Sequence, residues 1–120
     1  MVLHRVGLGW LIGGRVLVLT TRGRRTGRAR KTPLWYVRQG AKVYILSGWG
    51  PTSHWYKNLE VLPMATVQIG LRRWECRAAF PHDAELRQRV YRAFEDKYGR
   101  RLVQLLYGQR QLRLVVLEVG

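Results

Sequence analysis

The chain has 120 residues, enough for one domain with scarcely room for two. Apolar residues make up 47% of it, which excludes a disordered segment and supplies material for a core. Its 22 Lys and Arg against 7 Asp and Glu give a formal net charge of +15, which calls for an anionic partner without choosing among nucleic acid, membrane and a phosphorylated small molecule.

Residues 1–14, MVLHRVGLGWLIGG, read as an amino-terminal arm or short helix ahead of a domain spanning 15–120. Glycines break its apolar part and no convincing cleavage site follows, so it does not read as a signal peptide. Trp10, Leu11 and Ile12 permit weak contact with a membrane surface. RVLVLTT (15–21) is a predicted buried strand. The loop after it is densely basic: TTRGRRTGRARKTP (20–33) holds six cations and two glycines. A second strand is expected over 32–38, with Pro33 near its start, where an N–H can be spared. A tight turn at QGA leads to a third strand, 42–48, and these two form a predicted hairpin. After the glycine- and proline-broken GWGPTS, residues 53–62 read as a short helix capped by Thr52 or Ser53 and ended by Pro63. MATVQIG and RRWECRAAF are strands four and five.

The clearest helix is 83–99. Asp83 caps it, Leu86, Val90 and Phe94 share one face, and Gly99 closes it. RRLVQLLYG continues as a second helical piece, and 111–119 is a final strand. About six antiparallel strands with two or three short helices define a mainly β (α+β) fold, a small β-barrel with helical additions.

Common catalytic signatures are missing. His4, His54 and His82 are scattered and have no ligand spacing, so no metal site is expected. Ser47 and Ser53 sit in no nucleophile elbow, and the acids lie mostly on or near the 83–99 helix, where pairing with arginine explains them. Cys76, the only cysteine, reads as a small core residue and suits a reducing compartment. Two constellations remain. The basic loop has glycines that expose backbone N–H groups and arginines that fork onto oxyanions. His54, Trp55 and Tyr56 stand at a helix start, where anions are attracted and aromatics can wall a planar ring. Trp55 and Leu59 also suit core packing, and Asn58 alone would be an ordinary surface residue.

These two stretches resemble the deazaflavin-dependent nitroreductase family, whose members include quinone reductases. The pattern TT-x-GR-[KR]-[ST]-G-x-x-R-x-x-PL is met at Thr20, Thr21, Gly23, Arg24, Arg25, Thr26, Gly27, Arg30, Pro33 and Leu34, and WY-x-NL at Trp55, Tyr56, Asn58 and Leu59. The resemblance is strong over roughly 16–70. It implies a split β-barrel that binds coenzyme F-420, a deazaflavin with a phosphodiester and a polyglutamate tail. The positions it carries over are Arg24, Arg25, Thr26, Gly27, Arg30, Lys31, Thr32, Pro33, Leu34 and Trp35 from the first motif. Ser47, Gly48 and Trp49 come from the loop, and His54, Trp55, Tyr56 and Asn58 from the second motif. Tyr98 and Tyr107 are candidates for the substrate wall, with the Tyr98 hydroxyl the one side-chain candidate for catalysis. The sequence departs from the family's pattern in a short 47–53 loop without a lysine, and in Arg100 and Arg101 where aromatics are expected.

The expected activity is hydride transfer from reduced F-420 to a quinone or nitroaromatic acceptor, in the cytoplasm or at the membrane periphery, with a homodimer allowed. Three other readings stay open: an FMN enzyme on the same fold, a coenzyme-binding protein without turnover, and a nucleic-acid-binding barrel. The last is disfavoured because the charge is concentrated in one loop beside a helix start and nucleic-acid signatures are missing.

Overall fold

The computed structural model describes residues 14–48, 53–108 and 111–119. Residues 1–13 of the arm expected over 1–14, and Trp49, lie outside the described residues. Strands β1 (Leu17–Arg22) and β2 (Ala29–Leu34) are followed by β3 (Val37–Gln39) and β4 (Lys42–Ser47). Helix α1 (His54–Val61) precedes β5 (Met64–Ile69) and β6 (Arg72–Ala79). Helices α2 (Ala84–Tyr98) and α3 (Arg100–Tyr107) then lead to β7 (Arg113–Val119). All pairings are antiparallel, in the order β2-β1-β5-β6-β7-β4-β3.

Seven strands stand where six were expected, because the predicted strand 32–38 is two strands. Its first part begins earlier, at Ala29, and pairs with β1; its second part pairs with β4. Trp35 and Tyr36 join them. The consequence is geometric. In a flat seven-stranded sheet, β2 and β3 would lie about 29 Å apart, six spacings of roughly 4.8 Å. Three chain steps from Leu34 to Val37 span at most about 11 Å. The sheet therefore curls until its two edges nearly meet, which is a split half-barrel.

Burial follows from this curl. β1 alternates buried and half-buried residues, so one face looks inward. β4 and β7 are buried on both faces, which explains their unbroken apolar runs. Leu17, Leu19, Val43, Ile45, Val67, Val115 and Leu117 fill the interior with Trp55, Tyr56 and Leu59 from α1. Tyr44, Leu46, Leu114 and Val116 face outward and are covered by Val90, Phe94 and Tyr98 of α2 and Val103 of α3. Asp83 caps α2 as expected, its Oδ1 accepting from the N–H groups of Glu85 and Leu86 at 3.0 and 3.1 Å. Cys76 is a core residue whose thiol is pushed up to about 11 by burial, with Glu75 adding to the shift.

The join between β2 and β3 leaves backbone groups that no strand neighbour serves. The end of α2 supplies them. The Tyr98 hydroxyl accepts from the Tyr36 N–H at 3.1 Å and lies 2.5 Å from the Arg15 carbonyl and 3.2 Å from that of Tyr36. Lys97 Nζ donates to the Tyr36 carbonyl at 2.9 Å and lies 3.4 Å from the Tyr36 ring centroid. Trp35 stacks on the Tyr98 ring, centroids 4.3 Å apart and planes 5° from parallel. No helix among the described residues is long and apolar enough to cross a membrane.

Tyr98→Phe leaves the buried Tyr36 N–H unpaired, which costs about 1–3 kcal/mol. A denaturation midpoint that falls accordingly, with unchanged affinity for an anionic ligand, is the expected result. Lys97 gives a pH dependence of known sign. Burial, with the Arg15 charge adding to it, lowers its pKa from 10.5 to about 8. Between these values the unfolded chain holds the proton and the folded one does not, so unfolding takes up a proton and stability rises with pH across that window. Unfolding curves of Lys97→Met should show less of this rise than those of the parent.

Candidate functional site

The β1–β2 connection is a built structure. The Gly23 N–H donates to the Arg28 carbonyl at 2.8 Å, and the Gly27 N–H to the Gly23 carbonyl at 2.7 Å. Gly27 has φ of 70°, a conformation that favours glycine. Thr26 Oγ1 accepts from the Arg28 N–H at 3.2 Å, and Arg22 Nη1 donates to the Gly27 carbonyl at 3.2 Å. Register then decides which cations face inward. Arg30 lies opposite Thr21 and Thr32 opposite Leu19, so both share the face on which Thr21 and Leu19 are buried.

Asn58 ties this turn to α1. It is 3% exposed. Its Oδ1 accepts from the Arg24 N–H at 3.1 Å and from Arg24 Nη1 at 2.9 Å, and its Nδ2 donates to Thr21 Oγ1 at 3.3 Å. Arg24 Nη2 lies 3.5 Å from His54 Nδ1. The residue that looked like an ordinary surface position is thus the buried brace of the basic turn. No sequence periodicity marks it, because its partners lie 34 and 37 positions away.

Between the turn and the start of α1 opens a cavity of about 460 Å³. Arg24, Arg25, Thr26, Arg30, Lys31, Thr32, His54, Trp55 and Asn58 line it, together with Thr21 and Gly23. None of these is acidic, and the first acid in the whole sequence is Glu60. Arg25, Arg30 and Lys31 have no carboxylate partner among the described residues. A second cavity of about 300 Å³ is lined by Leu34, Leu46, Ser47, Gly48, Ser53, Trp55, Leu106 and Tyr107. Trp55 borders both, so a charged groove and a mostly apolar chamber meet at one indole.

Several predicted positions lie elsewhere. Gly27 shapes the turn, and Pro33 is on the edge strand β2; neither lines either of these two cavities. Trp35 and Tyr98 form the strut at the sheet's closure, and burial pushes the Tyr98 hydroxyl up to about 12. Tyr56 is in the core, edge-on to Phe80 with ring centroids 5.4 Å apart. Tyr107 does wall the second cavity. Thr21 and Gly23 in the first cavity, and Leu46, Ser53 and Leu106 in the second, were not predicted as site residues; the alternation of β1 could have indicated Thr21, while the second cavity's residues depend on the curl. Among the described residues no group of three or more His, Cys, Asp or Glu could hold a metal.

A curled antiparallel half-barrel with a cation-lined groove beside a helix start belongs to the split-barrel class of cofactor-binding folds. The chain is a member of the F-420H(2)-dependent quinone reductase family, whose model matches residues 4–119. Among solved structures it resembles an F-420-H2 dependent reductase, FDR-A, at 24% identity over 87% of this chain and 94% of that one, with a TM-score of 0.68. It also resembles HutZ, a heme storage protein from Vibrio cholerae, at 19% identity, covering 89% of this chain and 82% of that one, with a TM-score of 0.71. A pyridoxamine 5'-phosphate oxidase-like protein from Listeria innocua matches at 15% identity over 98% and 94%, with a TM-score of 0.68. At these identities the structural likenesses speak for the fold.

Asn58→Ala removes the acceptor for the part-buried Arg24 N–H and the link to the buried Thr21. Stability should fall by about 1–3 kcal/mol, and affinity for a phosphorylated ligand should weaken as the turn loses its brace. Thermal melting together with equilibrium binding checks both.

Proposed function

We propose that this chain is an oxidoreductase that binds reduced coenzyme F-420 and delivers its hydride to a quinone or nitroaromatic acceptor. The observation that carries the reading is the pair of cavities sharing Trp55: one cationic without acids, the other mostly apolar. The chemistry of the donor set fits the coenzyme. Arg25, Arg30 and Lys31 suit the phosphodiester and polyglutamate tail, because arginine forks onto such oxyanions. Trp55, at the meeting of the cavities, suits a planar ring, with Leu34 and Tyr107 as further walls.

When bound, the reduced coenzyme supplies the hydride. The chain's own residues do the rest by position. Arg30 and Thr32, held on the inner face by strand register, orient the anionic tail. Trp55 and Tyr107 keep ring and acceptor in one small space, which raises their effective concentration. Leu34, Leu46 and Leu106 make that space largely apolar. The buried lone cysteine agrees with a cytoplasmic setting.

Fluorescence titration with F-420 and FMN side by side, followed by turnover with menadione, tests this reading. F-420 should bind more tightly than FMN, and menadione should oxidise many equivalents of the reduced coenzyme. Arg30→Ala should weaken F-420 binding on the order of tenfold, since a charge-assisted hydrogen bond is worth roughly 1.5–3 kcal/mol. Equal weak binding of both cofactors, or sub-micromolar binding of a single-stranded oligonucleotide at physiological salt with no coenzyme consumed, would overturn it.

A further inference from the structure

Ser53 stands at the N-cap of α1, where a serine oxygen usually accepts from a backbone N–H of the first turn and contributes about 1 kcal/mol. Its side chain makes no such bond. Its Oγ lies instead 2.8 Å from Ser47 Oγ at the end of β4. Both serines line the 300 Å³ chamber, whose other side-chain walls include Leu34, Leu46, Leu106 and Trp55. The helix thus gives up a cap, and two hydroxyls are brought together at the wall of a mostly apolar space.

Two hydroxyls share one O–H···O bond, so the accepting member keeps its own proton for another partner. We propose that Ser47 donates to Ser53, and that the Ser53 hydroxyl donates in turn to an oxygen of the electron acceptor, making Ser53 a determinant of acceptor specificity. The acceptor class is one with a carbonyl or nitro oxygen. A hydroxyl placed in apolar surroundings favours a ligand that satisfies it and disfavours one that leaves it unpaired. For a quinone the balance is complete without a net proton from serine. The quinone takes two electrons and one proton as hydride and a second proton from water, giving the hydroquinone, and the oxidised coenzyme returns one proton to water. This inference rests on the functional reading above and adds the residue that selects the acceptor.

Ser53→Ala and Ser53→Thr test it. Four quantities are measured: the melting temperature, F-420 affinity by fluorescence, menadione affinity by calorimetry on protein saturated with oxidised F-420, and steady-state reduction of menadione and of phenazine methosulfate, which has no carbonyl or nitro oxygen. Ser53→Ala takes a partner from the buried Ser47 hydroxyl, so its melting temperature should fall; it should keep its F-420 affinity and lose about tenfold in menadione affinity and in kcat/KM for menadione, chiefly through KM. Phenazine methosulfate should be reduced as by the parent, and Ser53→Thr should restore most of the menadione loss. Equal losses with both acceptors, or no loss with either, would overturn the assignment. So would weaker F-420 binding, which would put the hydroxyl on the coenzyme. Failure of the parent protein to bind F-420 would instead overturn the functional reading on which the assignment rests.

Discussion

The two-residue join at Trp35 and Tyr36 is the constraint on which the rest of the structure depends. It forces the opposite edges of a seven-stranded sheet together, and the sheet can comply only by curling. The curl creates an interior, so β1 buries Leu17 and Leu19 there while β4 and β7 must satisfy both an interior and a helix-covered exterior. A join of this kind also strands backbone groups away from any ladder, where they are expensive if unpaired. The carboxyl end of α2 meets that need with Tyr98 and Lys97. This is why a tyrosine that invites a catalytic reading serves as a strut, with its hydroxyl already among three backbone groups.

The site is a by-product of the same closure. β2 is an edge strand carrying Arg30 and Lys31, residues that suit an open edge and discourage another sheet from adding to it. Its pairing with β1 turns Arg30 inward beside Thr21. Asn58 then locks Arg24 and the turn to α1, so that like charges are held near one another on a surface without acids. Such repulsion is tolerable where an anion is meant to relieve it, and it is screened by solvent meanwhile. On the proposed reading, the charged groove and the mostly apolar chamber suit a coenzyme that is anionic at one end and planar at the other.

Membership of the quinone reductase family and this pair of cavities agree with each other while resting on different observations, one on residues 4–119 taken together and one on local geometry. The likeness to a heme storage protein and to a pyridoxamine 5'-phosphate oxidase-like protein speaks for the fold alone. In this chain the site is made by side chains: arginines at the groove without a carboxylate partner among the described residues, Trp55 at the junction, and a serine pair in the chamber.

Much was legible in the sequence because it was local. The helices at 53–62 and 83–99, the Asp83 cap, the hairpin ahead of β4, the burial of Cys76 and the density of charge at 20–33 all follow from neighbours a few positions apart. Of the positions carried over from the two motifs, Arg24, Arg25, Thr26, Arg30, Lys31, Thr32, His54, Trp55 and Asn58 line the groove. The sequence could not show that 32–38 breaks into two strands, because Trp35 and Tyr36 are good strand residues and the break is imposed by which edges they must join. Nor could it show that Asn58 is buried, that Tyr56 is in the core, that Trp35 and Tyr98 stack as a strut, or that Ser47 and Ser53 meet. Each of these depends on contacts between distant segments, and those contacts exist only once the sheet has curled and the helices have closed over it.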